Sequence, residues 1–250
     1  MNMEDNRSYI EQFNSKGYCI IKNTIDISVI NLILKEIDNA KNIDIYTDTN
    51  GNIRRIERLY DKGKNLLDLN LLITDMLDAI FKEKFVIFKD KYNAKPPGGE
   101  GFFAHYDGIF IFKDSLNQDR KGWYTYTDFF VNSLVALDKC TKDNGTIEIS
   151  SQHNGSFSDL LKNTKNNGTP DILKDIEDNL DFEPIILNPG DLVLFSNRCP
   201  HRSKKNTSGL NRRTLYYTYT KQSAGSFYDH YFTDKKNSSN TSSKSLSGDL

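Results

Sequence analysis

The chain reads as a mainly β protein with flanking helices (α+β), a sheet sandwich or jelly roll with N-terminal helices packed outside. Three observations predict this. Apolar residues at helical spacing are confined to the part before Phe85. From Phe85 onward, short β-rich runs follow one another. Turn signals separate them: Pro96-Pro97-Gly98-Gly99, Asp143-Asn144-Gly145 and Asn188-Pro189-Gly190-Asp191. Short strands at regular spacing bury a common interior as packed sheets, and helices cover the outside.

The elements follow in order. Residues 4–15 form a short polar helix that Gly17 ends, and Tyr18-Cys19-Ile20-Ile21 is a strand. Asp26 or Ser28 caps a second helix running to Asn39, with Ile30, Ile33, Leu34 and Ile37 on one face. A third helix spans Leu66–Phe81. Strands are expected at 85–88, 109–112, 124–137, 146–149, 184–187, 191–196 and 213–219. The polar segment 157–181 is an insertion with a helix near 171–178. Residues 1–234 then form one domain, helical over about 1–84 and β over about 85–232. The tail 235–250 is rich in Ser, Asn, Lys and Gly, has no aromatic residue, and is expected to stay disordered.

Composition narrows the class. Among 250 residues, 37% are hydrophobic and 12% aromatic, enough for a real core. With 34 acidic and 33 basic residues the formal charge is −1, so nothing pulls the chain toward nucleic acid or a membrane surface. No apolar stretch is long enough to span a bilayer, and the start lacks a signal-peptide core. Cys19, Cys140 and Cys199 are few and widely spaced, which suits a reducing, cytoplasmic compartment.

The chemistry starts at Phe102-Phe103-Ala104-His105-Tyr106-Asp107-Gly108. Residues i and i+2 of a strand point to one face, so His105 and Asp107 share a cavity while Tyr106 turns away. His201, beyond the run Asp191–Ser196, completes a set of two histidines and a carboxylate. Such a set takes one face of an octahedral metal and leaves other positions open, as in non-haem Fe(II) oxygenases. His153, the alternative third ligand, sits in a polar turn and suits a hydrogen-bonding role; His230 suits packing.

The surroundings of His201 add a resemblance. Ser203 follows two residues on, Asn206 after it, and Arg212 eleven residues on. This is similar to the C-terminal motif of the phytanoyl-CoA dioxygenase (PhyH-like) family of Fe(II)/2-oxoglutarate oxygenases. Asn93-Ala94-Lys95-Pro96 before His105 and the run from Val135 to Ile149 resemble other parts of that family, as does Gly17–Ile21. The resemblance covers most of residues 10–232. It implies a double-stranded β-helix (cupin-like) fold, with Fe(II), 2-oxoglutarate and O2 as cofactor and cosubstrates. It implies His105, Asp107 and His201 as metal ligands, Arg212 and Ser203 on the far carboxylate of 2-oxoglutarate, and Lys95 and Asn93 in the cosubstrate pocket. The family's chemistry hydroxylates a substrate C–H bond as 2-oxoglutarate becomes succinate and CO2. Tyr106 stands where the family often has Gln, and Ser150 replaces the usual Gly.

Arginine suits a planar carboxylate because its guanidinium makes two parallel charge-assisted hydrogen bonds. Arg212 and Arg213 are neighbours in a strand, so only one faces inward, and Arg212 is chosen on the family spacing. The expected substrate is a small anionic or zwitterionic metabolite: an amino acid, an aminophosphonate or a natural-product intermediate. Candidate substrate residues are Tyr106, Arg58, Trp123 and Tyr126, with Arg55 and Tyr124 nearby. Three alternatives stand beside hydroxylation. The same iron site serves desaturation, cyclisation or epimerisation; a jelly roll without catalysis serves only binding; a zinc hydrolase needs a general base that no motif here supplies. Asp107 also argues against a halogenase, in which halide takes the carboxylate's place.

Overall fold

The computed structural model describes residues 3–114 and 116–241. Its helices are α1 (Met3–Lys16), α2 (Ile27–Asn39), α3 (Lys64–Phe81), α4 (Phe157–Leu161), α5 (Lys174–Glu177) and α6 (Tyr228–Thr241). The first strands are β1 (Tyr18–Ile21), β2 (Asp44–Thr47), β3 (Ile53–Glu57), β4 (Phe85–Lys95) and β5 (Phe102–His105). Then come β6 (Phe112–Lys113), β7 (Asp119–Arg120), β8 (Val131–Ala136), β9 (Ile147–Ile149) and β10 (Glu183–Pro184). β11 (Leu192–Ser196), β12 (His201–Ser203) and β13 (Arg212–Lys221) complete the set. The major sheet has the order β1-β11-β8-β13-β4-β3-β2, the minor sheet β10-β9-β12-β5, and β6 pairs only with β7.

Side-chain alternation builds three layers. On β11, Leu192 and Leu194 join the cluster of the helices, while Val193 and Phe195 face Ile147 and Ile149 of the minor sheet. β13 repeats the pattern: Leu215, Tyr217 and Tyr219 turn to the helices, and Arg212, Thr214 and Thr218 turn inward. On the helix side, Ile30 and Ile33 of α2 and Leu66, Ile73 and Leu77 of α3 are fully buried. Each such side chain contributes roughly 1.5–3 kcal/mol of burial free energy. The start of α3 has no side-chain cap of its own; Glu36 of α2 accepts from the Asn65 and Leu66 amides at 3.0 and 2.9 Å. This close approach needs Gly63, since a Cβ there would lie 2.3 Å from the Glu36 carboxyl.

Several elements differ from the sequence reading. β4 runs to Lys95 instead of stopping at Phe88, because the polar residues after it line an interior face. Of the strand expected at 109–112 only Phe112 is in a strand: Ile109 and Phe110 are buried in a loop, and Phe112–Lys113 pairs with β7. The expected strand at 124–137 shortens to Val131–Ala136. Before it, Gly122–Thr125 is a 3₁₀ turn, with Gly122 at φ 52° packed on the Gly108 carbonyl. The hairpin β2–β3 was not anticipated, although Asn50-Gly51 is a turn signal at its tip. The expected tail boundary falls inside α6. Lys235 there is bound to Glu57 at 2.6 and 2.8 Å, which holds the helix on the barrel. The rest of the expected tail, 242–250, lies outside the described residues. Among the described residues, no helix is long and apolar enough to cross a membrane.

Candidate metal centre

His105 ends β5 and His201 opens β12, and the two are Cα partners across the antiparallel ladder. Their ring centroids are 4.1 Å apart. Each ring is oriented by the backbone two residues before it: His105 Nδ1 contacts the Phe103 carbonyl at 2.9 Å, and His201 Nδ1 the Cys199 carbonyl at 3.0 Å. With Nδ1–H donating to a carbonyl, each Nε2 lone pair is left for a ligand.

Asp107 sits on the turn after β5, where Asn197 clasps it from both sides. The Asp107 amide donates to the Asn197 carbonyl and Asn197 Nδ2 donates to the Asp107 carbonyl, both at 3.0 Å. The Asp107 carboxylate accepts a 2.8 Å hydrogen bond from Asn132 Nδ2 on Oδ2, and Thr218 Oγ1 donates to Asn132 Oδ1 at 2.7 Å. Asp107 Oδ2 is 3.6 Å from His201 Nε2, and Oδ1 is 4.0 Å from His105 Nε2. The three ligand atoms lie within 4.8 Å of one another, a spacing that fits one metal ion.

The charge states suit that role. Burial first, then His105, pushes His201 down to about 3 against the pull of Asp107, so its ring is neutral at pH 7. Burial alone would raise the Asp107 carboxyl, but His201, Lys91, His105 and Lys89 together hold it below the ordinary carboxylate range.

Behind the histidines the cavity is lined by Lys91, Asn93, Phe102, Ile147, Ser203, Arg212 and Tyr216. Arg212 is buried; its Nη1 donates to Thr214 Oγ1 at 3.0 Å, and its Nε has no hydrogen-bond partner. Asn93 Oδ1 is likewise buried and unpartnered. Orphaned buried polar atoms cost free energy unless a ligand satisfies them. An anionic carboxylate beside Arg212 would do so. Arg213 points outward as expected, with Nε and Nη2 each 2.8 Å from the Asp138 carboxylate. Ser203 Oγ accepts from Lys95 Nζ at 2.8 Å. Lys95 also donates to the Gly145 and Lys204 carbonyls, at 3.2 and 2.5 Å, so it braces Ser203 and is not itself on the cavity wall. Burial first, then Arg212, pushes the Lys95 ammonium down to about 6.

The expected substrate residues lie elsewhere. Tyr106 turns to the opposite face and lines a pocket of about 440 Å³ with Asn163 and Leu160. Arg58 stacks over Phe232, 6.0 Å from its centroid, because β3 ends at Glu57. Trp123 and Tyr126 pack on Phe88, and Tyr126 donates to Asp234. Tyr124 binds Asn197 and Arg198 through its hydroxyl, and Arg55 pairs with Glu57. His153 bonds the Ser151 carbonyl and His230 the Asp234 carboxylate. Sequence reading missed Asn132, Lys89, Lys91 and Tyr216. The two-residue alternation Lys89-x-Lys91-x-Asn93-x-Lys95 was the signal available for the lysines.

A jelly roll that brings two histidines and a carboxylate to one wall, with a buried arginine behind them, is the architecture of a non-haem iron oxygenase. The chain belongs to the phytanoyl-CoA dioxygenase (PhyH) family, whose pattern matches residues 13–214. It is 32% identical to a methylphosphonate hydroxylase from Gimesia maris over 73% of this chain and 60% of that one. It is 30% identical to a 2-aminoethylphosphonate dioxygenase from an uncultured bacterium, over 72% of this chain and 66% of that one. The chain thus spans 60% and 66% of the length of these relatives, less than two thirds of each. The crystal structure of EctD from S. alaskensis, with 2-oxoglutarate and 5-hydroxyectoine, shares the fold: TM-score 0.66, 18% identity, 86% of this chain and 76% of that one.

Proposed function

We propose that the protein is an Fe(II)/2-oxoglutarate-dependent oxygenase that hydroxylates a C–H bond of a small anionic or zwitterionic metabolite. The observation that carries this reading is the unpartnered Arg212 Nε in the same cavity as His105 and His201. His105, Asp107 and His201 would hold iron. Arg212 would clamp the far carboxylate of 2-oxoglutarate with paired hydrogen bonds, assisted by Ser203, which Lys95 keeps in place. Asn93 offers a second polar contact on the same wall. Asn132 keeps one carboxylate oxygen of Asp107 occupied, and the histidine orientations are fixed by the Phe103 and Cys199 carbonyls. Phe102 and Ile147 give the same space an apolar wall. Iron and 2-oxoglutarate, when bound, supply the oxidation: O2 is consumed, 2-oxoglutarate becomes succinate and CO2, and one oxygen atom enters the substrate. The similarity to a methylphosphonate hydroxylase and a 2-aminoethylphosphonate dioxygenase supports a phosphonate or amino-acid-like substrate. One domain carries this activity in the cytoplasm, with no nucleic acid or membrane partner. The near-neutral charge and three buried free cysteines support that setting.

Anaerobic titration of metal-free protein with Fe(II) and 2-oxoglutarate tests the reading. A visible charge-transfer band is expected in the wild type and not in His201→Ala. Well-folded wild-type protein that forms no band would overturn it. Asp107→Ala is expected to abolish substrate-dependent succinate release, and full turnover by that variant would sink the ligand assignment.

A further inference from the structure

We propose that Lys91, backed by Lys89, is the specificity-determining cation of this pocket, and that it receives a tetrahedral oxyanion, a phosphonate or phosphate group, on the substrate. The inference rests on the oxygenase reading and adds the head-group class and the residues that recognise it.

Strand register divides the cavity into two levels. Arg212 is the Cα partner of Lys95, Tyr216 of Lys91, and Thr218 of Lys89. Thr218 is bonded to Asn132, which is bonded to Asp107. Lys89 and Lys91 therefore lie at the level of the metal ligands. Arg212 lies four residues along the strand from Tyr216, the partner of Lys91, roughly 13 Å at an ordinary strand rise. A cosubstrate reaching from the metal to Arg212 fills one direction; the substrate has to sit at the level of the metal. Lys91 lines the same cavity as both histidines, with its ammonium 5.0 Å from the Tyr216 ring centroid. Lys89, two residues away on the same face, is 2% exposed. Its ammonium lies 4.9 Å from the Trp123 ring and 5.1 Å from the Tyr231 ring, and it donates to the Tyr231 hydroxyl at 3.1 Å. Glu57, across from Lys91 in register, is bound by Lys235 and Arg55.

The chemistry of the two levels differs. At Arg212 a planar fork matches a carboxylate. At the metal the cations are ammonium groups, compact point charges that bind a tetrahedral oxyanion through its charge and not through a matched planar fork. Holding an ammonium in an aromatic setting two residues from another raises the local positive potential without adding a competing donor at the cavity wall.

The test is an anaerobic titration of the Fe(II)–2-oxoglutarate form with methylphosphonate, with acetate as the planar control, read from the charge-transfer band. In the wild type, methylphosphonate is expected to shift the band saturably and acetate far more weakly. In Lys91→Met the band still forms, but the methylphosphonate midpoint rises by about tenfold or more, the loss expected for a charge-assisted contact. Lys91→Arg restores much of it. A methylphosphonate midpoint unchanged in Lys91→Met overturns the inference. So does a Lys91→Met variant whose chief defect is in 2-oxoglutarate binding, which would assign the lysine to the cosubstrate. A normal wild-type band insensitive to both methylphosphonate and 2-aminoethylphosphonate also overturns it. Absence of the wild-type band overturns the oxygenase reading and this inference together.

Discussion

The two faces of β13 are equally hidden from solvent and do different work. Leu215, Tyr217 and Tyr219 on the helix side are fully buried, and the tyrosine hydroxyls find partners on α3, at the Leu66 carbonyl and the Asn70 side chain. On the inner side Arg212, Thr214 and Thr218 are also buried, yet they carry polar atoms, one of which has no partner. An apolar buried face lowers the free energy of folding; a polar one raises it unless every group is bound. Burial by itself therefore does not mark the core of this molecule. The unsatisfied face is the one that the proposed function assigns to ligands.

The comparison can be broken from the outer side first. Leu215→Ala is expected to destabilise the fold by about 2–5 kcal/mol, the usual cost of emptying a leucine site in a packed core. Folded molecules of that variant should still bind Fe(II) and 2-oxoglutarate with wild-type midpoints. Chemical denaturation and the band titration measure the two effects separately. A variant of normal stability that lost cosubstrate binding would dissolve the division of labour between the faces.

Arg212 and Arg213 sharpen the contrast within one peptide unit. Arg212→Ala should weaken 2-oxoglutarate by roughly thirtyfold or more, because a buried charged partner is lost. Arg213→Ala removes a part-exposed pair with Asp138 and should change stability by about 1 kcal/mol at most, without touching the 2-oxoglutarate midpoint. Similar losses from both substitutions would mean that the strand is rotated relative to this description.

Asn132 on β8 probes the inner face without removing a charge. Asn132→Leu should weaken Fe(II) or Co(II) binding about 10- to 100-fold, since outer groups that hold a ligating carboxylate typically matter that much. Calorimetric metal titration reads this directly. Thr218→Val should reproduce a smaller part of the loss, as it acts one bond further out. Unchanged metal affinity in Asn132→Leu would show that the turn held by Asn197 alone positions Asp107.

Legibility in the sequence followed the same division. The outer face of the major sheet and the helices α2 and α3 were readable because apolar periodicity reports burial against a neighbour. The grouping of His105, Asp107 and His201 was readable because alternation along a strand puts His105 and Asp107 on one face and a histidine follows the next long strand run; Arg212 was singled out only through the family resemblance. The inner face of β4 was legible only in part. The family resemblance pointed to Asn93 and Lys95, but Lys89 and Lys91 look like solvated charge, and nothing local says that β5 and β12 close over them. The aromatic cluster misled in the opposite way: Trp123 and Tyr126 suggested a pocket, but their rings pack on Phe88 and α6. α6 itself escaped because its anchoring is long-range, through Lys235 to Glu57 and Tyr228 to Asp90.

Asp90 gives the smallest expected effect and the outer-face counterpart of Asp107. Both are buried carboxylates, yet their shifts have opposite sign. Asp90 is driven up to about 6, chiefly by burial and further by Glu57, although Tyr228 and the Leu59 and Tyr60 amides donate to it. A carboxyl whose folded value exceeds its unfolded value near 3.9 binds its proton more tightly in the native state. Its contribution to stability is complete below about pH 4 and is lost as the pH rises through about 6. Asp90→Asn removes that titration while keeping an acceptor for the two amides. The melting temperature of Asp90→Asn relative to wild type should therefore rise by a few degrees between pH 4 and pH 7. A difference between the two proteins that stays flat across this range would show that Asp90 is ionised throughout, and that its three donors outweigh its burial as the cations do for Asp107.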